Sequence, residues 1–338
     1  MASPHRRSLR IWWAPRAPAA GAAVMATGIL SVGLHLTGHE ALSRVVLVTA
    51  CAAWTLLAAN FTHLLLSDRA GWVARADTPG ALTAVAATAV LGTRFSLLGW
   101  TSVAAALLAL AALLWPALLM VVVRHWGRRM PGSVFLGCVA TEGLAALGAT
   151  LAAVTSTAWL AHTALVLFWS GLLLYAAALM RFDVREVARG AGDHWVSGGA
   201  LAISALAGAI LLDAADSGMH LWNDDDSAVL RHTTVALLAV ALACCAVLAV
   251  FEAVRPRLRY DVRRWSTVFP LGMAAVATLS VASTLDITFL EKPGQGLVWI
   301  ALAAWAAVAV GAGVSRWAER TVRGPQSAGP AARPDRSQ

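Results

Sequence analysis

The chain has 338 residues, of which 59% are hydrophobic and only 13% are charged, and its mean hydropathy is +0.69. Soluble globular domains carry about 25% charged residues, so this composition excludes an ordinary soluble enzyme. The formal net charge is +8, but the arginines lie in short segments between apolar stretches, where they indicate membrane topology rather than nucleic-acid binding.

Ten apolar stretches follow one another along the chain. About 20 apolar residues are enough for a helix to cross a bilayer. We therefore predict an all-α integral membrane protein with ten transmembrane helices, at roughly 19–36, 43–66, 80–98, 99–123, 133–154, 157–180, 195–213, 228–252, 264–285 and 295–317. No small-residue cleavage site follows the first stretch, so we expect it to be retained rather than removed as a signal peptide.

The basic residues are distributed unevenly between the two sides of the membrane. With the N-terminus in the cytoplasm, all of the 26 Lys and Arg residues lie in inside segments except Arg44, Arg94, Arg231 and Lys292. Since cytoplasmic loops carry the excess of positive charge, both termini are predicted to be cytoplasmic. We expect residues 1–17 to form a cytoplasmic segment, 18–318 the ten-helix membrane domain, and 319–338 a disordered cytoplasmic tail.

The odd-numbered and even-numbered stretches differ in side-chain size. The odd-numbered ones are rich in Gly, Ala, Ser and Thr, as in "GALTAVAATAVLGT", whereas the even-numbered ones carry long Leu runs and most of the internal aromatic residues. Small residues let helices approach closely or leave a lumen, and large apolar residues suit lipid. The pattern predicts five helical hairpins with the odd-numbered helices inside. It leaves open whether these helices enclose a pore or only pack together.

Two local sequences and the order of the ten stretches resemble a known family. The local sequences are "GAAVMATGILSVGL" near the start and "RPRLRYDVRRWSTVFPLGMAA" before the ninth stretch. Over residues 15–317 the chain resembles the tellurite-resistance/C4-dicarboxylate transporter family, which is related to the plant slow-type anion channels of the voltage-dependent anion channel family. This resemblance implies five hairpins around a central pore lined by the odd-numbered helices, a homotrimer, and a phenylalanine on the ninth helix that plugs the pore.

Phe269 is the aromatic residue within the body of the ninth stretch, so the resemblance assigns the pore gate to it. An aromatic ring in a lumen walled by small residues excludes water and can gate by dewetting, whereas the alternative is a packing anchor near the helix end. The gate requires a helix that begins at Asp261 as N-cap, about 12 Å before Phe269 at ~1.5 Å per residue. Pro270 either kinks the helix and frees a carbonyl for the lumen or is tolerated in a first turn.

Glu142 is the acidic residue well within an odd-numbered stretch. Intramembrane carboxyl groups are costly and mark functional sites by default. Glu142 is therefore a candidate for proton coupling or for the pore wall, and the alternative is a hydrogen-bonded carboxyl group at a helix contact. The glycines Gly28, Gly143, Gly199 and Gly272 either widen the lumen or permit close helix packing.

The remaining polar residues of the apolar stretches are isolated from one another. Arg94 and Glu252 lie near the ends of their stretches, so we expect their side chains to extend to the membrane surface. His35 and His39 have a spacing that can hold a metal ion on a helix, but Gly38 interrupts it. We predict no bound metal, no cofactor and no catalytic residue.

Together with these observations, the family resemblance implies a transporter of small inorganic or organic anions in a bacterial cytoplasmic membrane, in contact with lipid and not with nucleic acid. The interiors of the odd-numbered stretches hold almost no positive charge, and a dicarboxylate site needs converging arginines, so a monovalent or inorganic anion is favoured. One alternative is a proton-coupled carrier or exporter of C4-dicarboxylate, sulfite or tellurite-type oxyanions that uses Glu142. A distant alternative is an intramembrane enzyme, which needs polar groups clustered at one depth.

Overall fold

The computed structural model describes residues 17–76, 78–189, 192–216, 224–256 and 260–323. These residues form ten long apolar helices, labelled α1 to α10 in chain order. Their bounds are Ala17–Leu36 (α1), Glu40–Ser67 (α2), Thr83–Leu97 (α3), Thr101–Arg124 (α4), Leu136–Thr155 (α5), Ala158–Leu179 (α6), Val196–Asp216 (α7), Asp224–Val254 (α8), Trp265–Thr284 (α9) and Glu291–Arg323 (α10). Two short helices, Arg69–Ala76 and Glu186–Arg189, lie in loops, and this part of the chain contains no β-strand.

The length and composition of these helices suit a membrane. Nine helical segments of the described ranges are long and apolar enough to cross a bilayer, and the fully described part of the first helix, Ala20–Leu36, is slightly shorter. The prediction of an all-α membrane protein is confirmed, and each predicted stretch corresponds to one observed helix. The last helix continues to Arg323, so residues 319–323 of the predicted tail are helical. Residues 1–16 and 324–338 lie outside the described ranges.

The odd-numbered helices form a closed ring. Helix α1 packs against α3, α3 against α5, α5 against α7, α7 against α9, and α9 packs again against α1. Each even-numbered helix packs outside this ring, against the preceding odd-numbered helix and the next one. In the most apolar part of each helix, 67 to 94% of the residues are buried in α3, α5, α7 and α9, against 17 to 28% in the even-numbered helices. The helices of small residues thus lie inside, as side-chain size predicts.

Three tryptophans fasten outer helices to the ring. The indole N–H of Trp54 on α2 donates a hydrogen bond of 2.9 Å to the Thr88 hydroxyl on α3. The same contact joins Trp115 on α4 to Thr141 on α5 at 2.8 Å, and Trp305 on α10 to Thr27 on α1 at 2.9 Å. A buried indole N–H needs such a partner at membrane depth, where no water is present to accept its hydrogen bond.

Helix α9 begins with a turn that is held by charged residues. The Asp261 carboxylate accepts a hydrogen bond of 2.8 Å from the backbone N–H of Arg263 and caps a 3-10 turn, Val262–Arg264, which leads directly into α9. Arg264 pairs with Glu252 at the end of α8, with 2.6 Å between Nη1 and Oε1. Glu252 is therefore part of an ion pair that joins the end of α8 to the start of α9. The helical segment begins upstream of Ser266, as a gate at Phe269 requires.

Candidate functional site

A cavity of about 250 Å³ lies inside the ring and is lined by all five odd-numbered helices. Most of its wall is apolar. Among the described residues that line it, the polar side chains are the hydroxyl groups of Thr93, Thr150 and Ser280 and the carboxylate of Asp213. A lumen of this composition offers weak interactions to an ion and lacks the converging cations of a tight anion-binding site.

The cavity occupies the C-terminal parts of the five inner helices. At one end its lining reaches exposed residues near the last turns of these helices, and we call this end the distal mouth; its residues are Leu36, Leu97, Val154 and Asp213. At the other end the lining stops near the middle of the helices. The last lining residues at that end are Ile29, Val90, Gly143, Ile203 and Met273.

The cavity ends at a layer of buried residues. Positions four apart lie above one another on a helix, so the residues four positions before the last lining residues face the same axis. We call this layer the closed level; it consists of Met25, Ala86, Val139, Gly199 and Phe269. All five residues are buried, and Phe269, which is 2% exposed, is the largest of them.

The structure brings Phe269, Pro270 and Gly199 together at this level. Phe269 lies one turn before Met273, on the face of α9 that lines the cavity. Pro270 lies inside α9, where its missing N–H leaves the Ser266 carbonyl without its usual helical partner. The proline ring packs against α7 at Gly199, where an added Cβ atom would lie 2.9 Å from the proline Cγ atom.

The other predicted glycines lie at contacts between neighbouring inner helices. A Cβ atom on Gly28 would lie 2.9 Å from Val90 of α3, and one on Gly272 would lie 2.8 Å from Ile29 of α1. Gly143 of α5 also faces α3 closely, and of the four predicted glycines it is the one on the cavity wall. At these positions the absence of a side chain allows adjacent helices of the ring to approach.

Glu142 lies between α5, α6 and α7 and does not line the cavity. Its side chain is 0% exposed, and its Oε1 atom accepts a hydrogen bond of 3.0 Å from the Ser204 hydroxyl on α7. The carboxyl group occupies the space next to Gly171 on α6, and its Oε2 atom has no hydrogen-bond partner within the described ranges. Among the described residues, no cation pairs with this buried carboxyl group.

The hydrogen bond of Glu142 resembles those of the three tryptophans described above, because its partner is also a hydroxyl group on an inner helix. Thr27, Thr88 and Thr141 each donate to the backbone carbonyl four residues earlier, and the single hydroxyl proton of Ser204 is shared between the Ala200 carbonyl and Glu142 Oε1, each 3.0 Å away. On α1, α3 and α5 this hydroxyl also accepts from a tryptophan of an outer helix, whereas on α7 the second partner of the Ser204 hydroxyl is Glu142. Glu142 therefore joins two inner helices, α5 and α7, whereas each of the three indoles joins an outer helix to an inner one.

Arg94 is buried in a charged cluster at the ends of α1, α2 and α3. Its Nη2 atom lies 2.9 Å from both carboxylate oxygens of Glu40, and its Nε atom donates to the hydroxyl groups of Ser31 and Ser43. The Glu40 carboxylate also contacts His35, with 2.7 Å between Oε2 and Nδ1. The Arg94 side chain is 0% exposed. The expectation that Arg94 extends to the membrane surface is therefore wrong, because paired oxygen atoms compensate its burial.

Four polar side chains of the wall could not be identified from the sequence alone. Asp213 follows Leu206 and Ile210 at helical spacing on α7, and Ser280 follows Met273 and Val276 in the same way on α9. Such spacing identifies one face of a helix. Whether that face points into the cavity or toward an outer helix depends on how the neighbouring helices pack.

Comparisons with known proteins identify the family. Residues 17–312 match the family model described as a voltage-dependent anion channel. The chain is also 32% identical over 117 residues to an uncharacterized membrane protein of Mycobacterium tuberculosis, in strain CDC 1551 / Oshkosh and in strain ATCC 25618 / H37Rv. Each match covers 33% of this chain and 58% of the relative, so the chain spans less than two thirds of these relatives' length.

The family match covers nearly all of the ten-helix region, including the five helices that line the cavity. The resemblance of the two local sequences and the ten-helix order to this group is confirmed by that match. The chain belongs to the voltage-dependent anion channel family.

Proposed function

We propose that the protein conducts small anions through the axis of the inner ring and that Phe269 is the gate. The observation that carries this proposal is that the cavity ends at the closed level. The cavity is lined by all five inner helices, and it stops one helical turn from Phe269. Phe269 is the largest side chain of that level, so displacement of its ring would free the most space there.

The chemistry of the wall supports a channel for weakly bound ions. Hydroxyl groups and apolar side chains of the cavity can exchange with the hydration shell of an anion only weakly, and weak binding permits rapid exit. Glu142, the group on which a proton-coupled carrier would depend, lies outside the cavity wall. The geometry therefore favours a channel over a carrier that is coupled through Glu142.

The proposal also includes bending of α9 beside Phe269, the orientation of the protein in the membrane and its assembly. Pro270 removes one backbone hydrogen bond beside the gate and so lowers the resistance of α9 to bending there. The distribution of arginines favours cytoplasmic termini and a distal mouth that faces outward from a bacterial cytoplasmic membrane. The family resemblance favours a homotrimer in which each subunit contains its own pathway.

The test is electrophysiology on Phe269→Ala with a matched control. We expect Phe269→Ala to raise anion current in planar bilayers well above that of the wild type, with reversal potentials that follow the anion gradient. The control is Phe168→Ala, which removes an equally buried ring from α6, outside the inner helices; its current should stay at the wild-type level. Unchanged current from correctly inserted Phe269→Ala protein would overturn the gate, and cation-selective current would overturn anion conduction.

A further inference from the structure

A separate cavity of about 290 Å³ lies between α2 and α4, on the outer side of α3. Most of its wall comes from the second half of α2, the first turns of α3, the middle of α4 and the loop helix Arg69–Ala76. Leu65 of α2 and Leu110 of α4 line the cavity and are exposed. The cavity therefore opens at the outer surface of the bundle, which faces lipid in a membrane protein.

The wall of this cavity differs between the middle of the bundle and the end of α2. Leu57, Leu110 and Leu114 line it near the middle of α2 and α4. Asn60 and Trp72 line it closer to the end of α2, where the apolar stretch finishes. A phospholipid has the same order of groups, because its acyl chains lie in the hydrocarbon core and its headgroup lies at the surface.

Trp72 brings an unused hydrogen-bond donor to the cavity. Its Nε1 atom is buried and has no hydrogen-bond partner among the described residues. Trp54 lines the same cavity, but its indole N–H donates to the Thr88 hydroxyl. Buried N–H groups of folded proteins are nearly always hydrogen-bonded. The indole of Trp72 therefore indicates an acceptor that the described chain does not supply.

Two residues near Trp72 suit an anionic acceptor. The Trp72 ring lies 5.2 Å from the ring of Phe61, between centroids, which places it beside the lining residue Asn60, whose amide group can donate hydrogen bonds. Arg69 is exposed and lies three positions before Trp72, on the same face of the loop helix. The carboxylate of the neighbouring Asp68 accepts from the backbone N–H of Gly71. Indole, amide and guanidinium N–H groups together can bind the oxygen atoms of a phosphate.

We propose that this cavity binds one phospholipid of the surrounding bilayer and recognises its phosphodiester group. An acyl chain lies along the leucines in the middle of the cavity, and a phosphate oxygen accepts the indole N–H of Trp72, with Arg69 at the surface. The site goes beyond the proposed anion pathway, because it lies on the lipid side of α3 and shares no lining residue with the cavity inside the ring.

Two variants change the two parts of the site separately. Trp72→Phe removes the indole N–H and keeps an aromatic ring beside Phe61. Ala58→Leu adds methyl groups to the wall of the cavity and leaves the donors in place. The matched control is Trp169→Phe, which removes an exposed indole from α6, at a position that does not line this cavity.

The experiment titrates the purified protein in detergent with palmitoyl-oleoyl phosphatidylglycerol and measures the affinity for the first bound lipid by native mass spectrometry. We expect Trp72→Phe to weaken this affinity by about tenfold, as the loss of one hydrogen bond to a charged group predicts. Ala58→Leu should also weaken it, whereas Trp169→Phe should match the wild type. Diacylglycerol with the same chains should bind weakly, and equally to the wild type and Trp72→Phe, because it lacks the phosphate.

Four outcomes would overturn this inference. Equal affinities of Trp72→Phe and Trp169→Phe for phosphatidylglycerol would exclude the indole as a ligand, and equal wild-type affinities for phosphatidylglycerol and diacylglycerol would exclude recognition of the phosphate. Competition by inorganic phosphate would assign the donors to a free anion. Unchanged lipid binding by Ala58→Leu, or dissociation of subunits in place of lipid loss, would show that lipid does not fill the cavity. Ala58→Leu and the diacylglycerol comparison decide the question even where Trp72→Phe fails to fold.

Discussion

The ring of Pro270 fills the space that Gly199 leaves on the opposite helix. A Cβ atom on Gly199 would lie 2.9 Å from Cγ and 3.1 Å from Cβ of this proline. The contact joins α7 to α9 at the closed level, next to Phe269. The residue that interrupts the backbone hydrogen bonds of α9 is thus also the residue that sets how closely the two helices approach.

This contact predicts that Gly199→Ala destabilises the protein. Overpacking of a close contact typically costs about 1–3 kcal/mol, so we expect a lower melting temperature in detergent. Gly313→Ala on α10 is the control, because a Cβ atom there meets no atom within 4 Å. Adding Pro270→Ala to Gly199→Ala removes the proline Cγ atom, which is the atom nearest to the new methyl group. The double variant should therefore recover part of the lost melting temperature. Equal melting temperatures for Gly199→Ala and Gly313→Ala would contradict the contact.

Glu142→Gln should leave anion uptake and its pH dependence unchanged. The glutamine retains an oxygen that can accept the Ser204 hydrogen bond, and the side chain lies outside the cavity wall. The measurement is the initial rate of chloride uptake into proteoliposomes at neutral and at mildly acidic pH, with protein amounts matched by chromatography. If the wild type responds to pH and Glu142→Gln does not, proton coupling through Glu142 is supported and our placement of it as a structural group fails.

Glu40→Gln should destabilise the fold far more than Arg44→Gln. Glu40 is the anionic partner of the buried Arg94, whereas Arg44 is an exposed partner of the same carboxylate on the surface of α2. Loss of Glu40 leaves the buried Arg94 guanidinium without its anionic partner, which costs more than the loss of an exposed pair. Thermal melting of the two variants compares these losses directly; similar shifts would contradict the assigned burial of Arg94.

Asp261 predicts acid sensitivity at the start of α9. Burial raises the pKa of its carboxyl group, but the hydrogen bonds and the charge of Arg263 outweigh burial and hold the pKa below the ordinary value of 3.8. Stabilisation by a carboxyl group of lowered pKa is present above the unfolded pKa and is lost as pH falls through the folded pKa. The variant Asp261→Asn keeps a capping side chain without the charge.

The melting temperature of Asp261→Asn should therefore lie below that of the wild type at neutral pH. The difference should disappear as the pH falls below 3.8, the ordinary value for this carboxyl group. The measurement is thermal melting of both proteins over a pH series at constant ionic strength. A difference that persists unchanged at the acid end would show that the carboxylate charge does not stabilise the turn before α9.

The membrane fold was predictable from the sequence because its causes are local. The length of each apolar stretch predicts a helix that crosses the bilayer, and the contrast between the residue types of α7, in "VSGGALAISALAGAI", and those of its leucine-rich neighbours predicts which helices lie inside. The position of Phe269 on the inner helix α9 followed in the same way once the start of the helix was placed near Asp261.

The directions of individual side chains depended on the tertiary structure. By composition, Glu142 and Asp213 are both carboxylates of inner helices, but the packing of α6 and α7 encloses the first and leaves the second on the cavity wall. Arg94 is paired only because residues of α1 and α2 converge on it. The sequence by itself determined that the chain forms ten apolar helices with small residues inside, since hydropathy and side-chain size are properties of each segment. Only the tertiary structure decided which polar groups face the lumen, because that depends on how each helix is rotated against its neighbours.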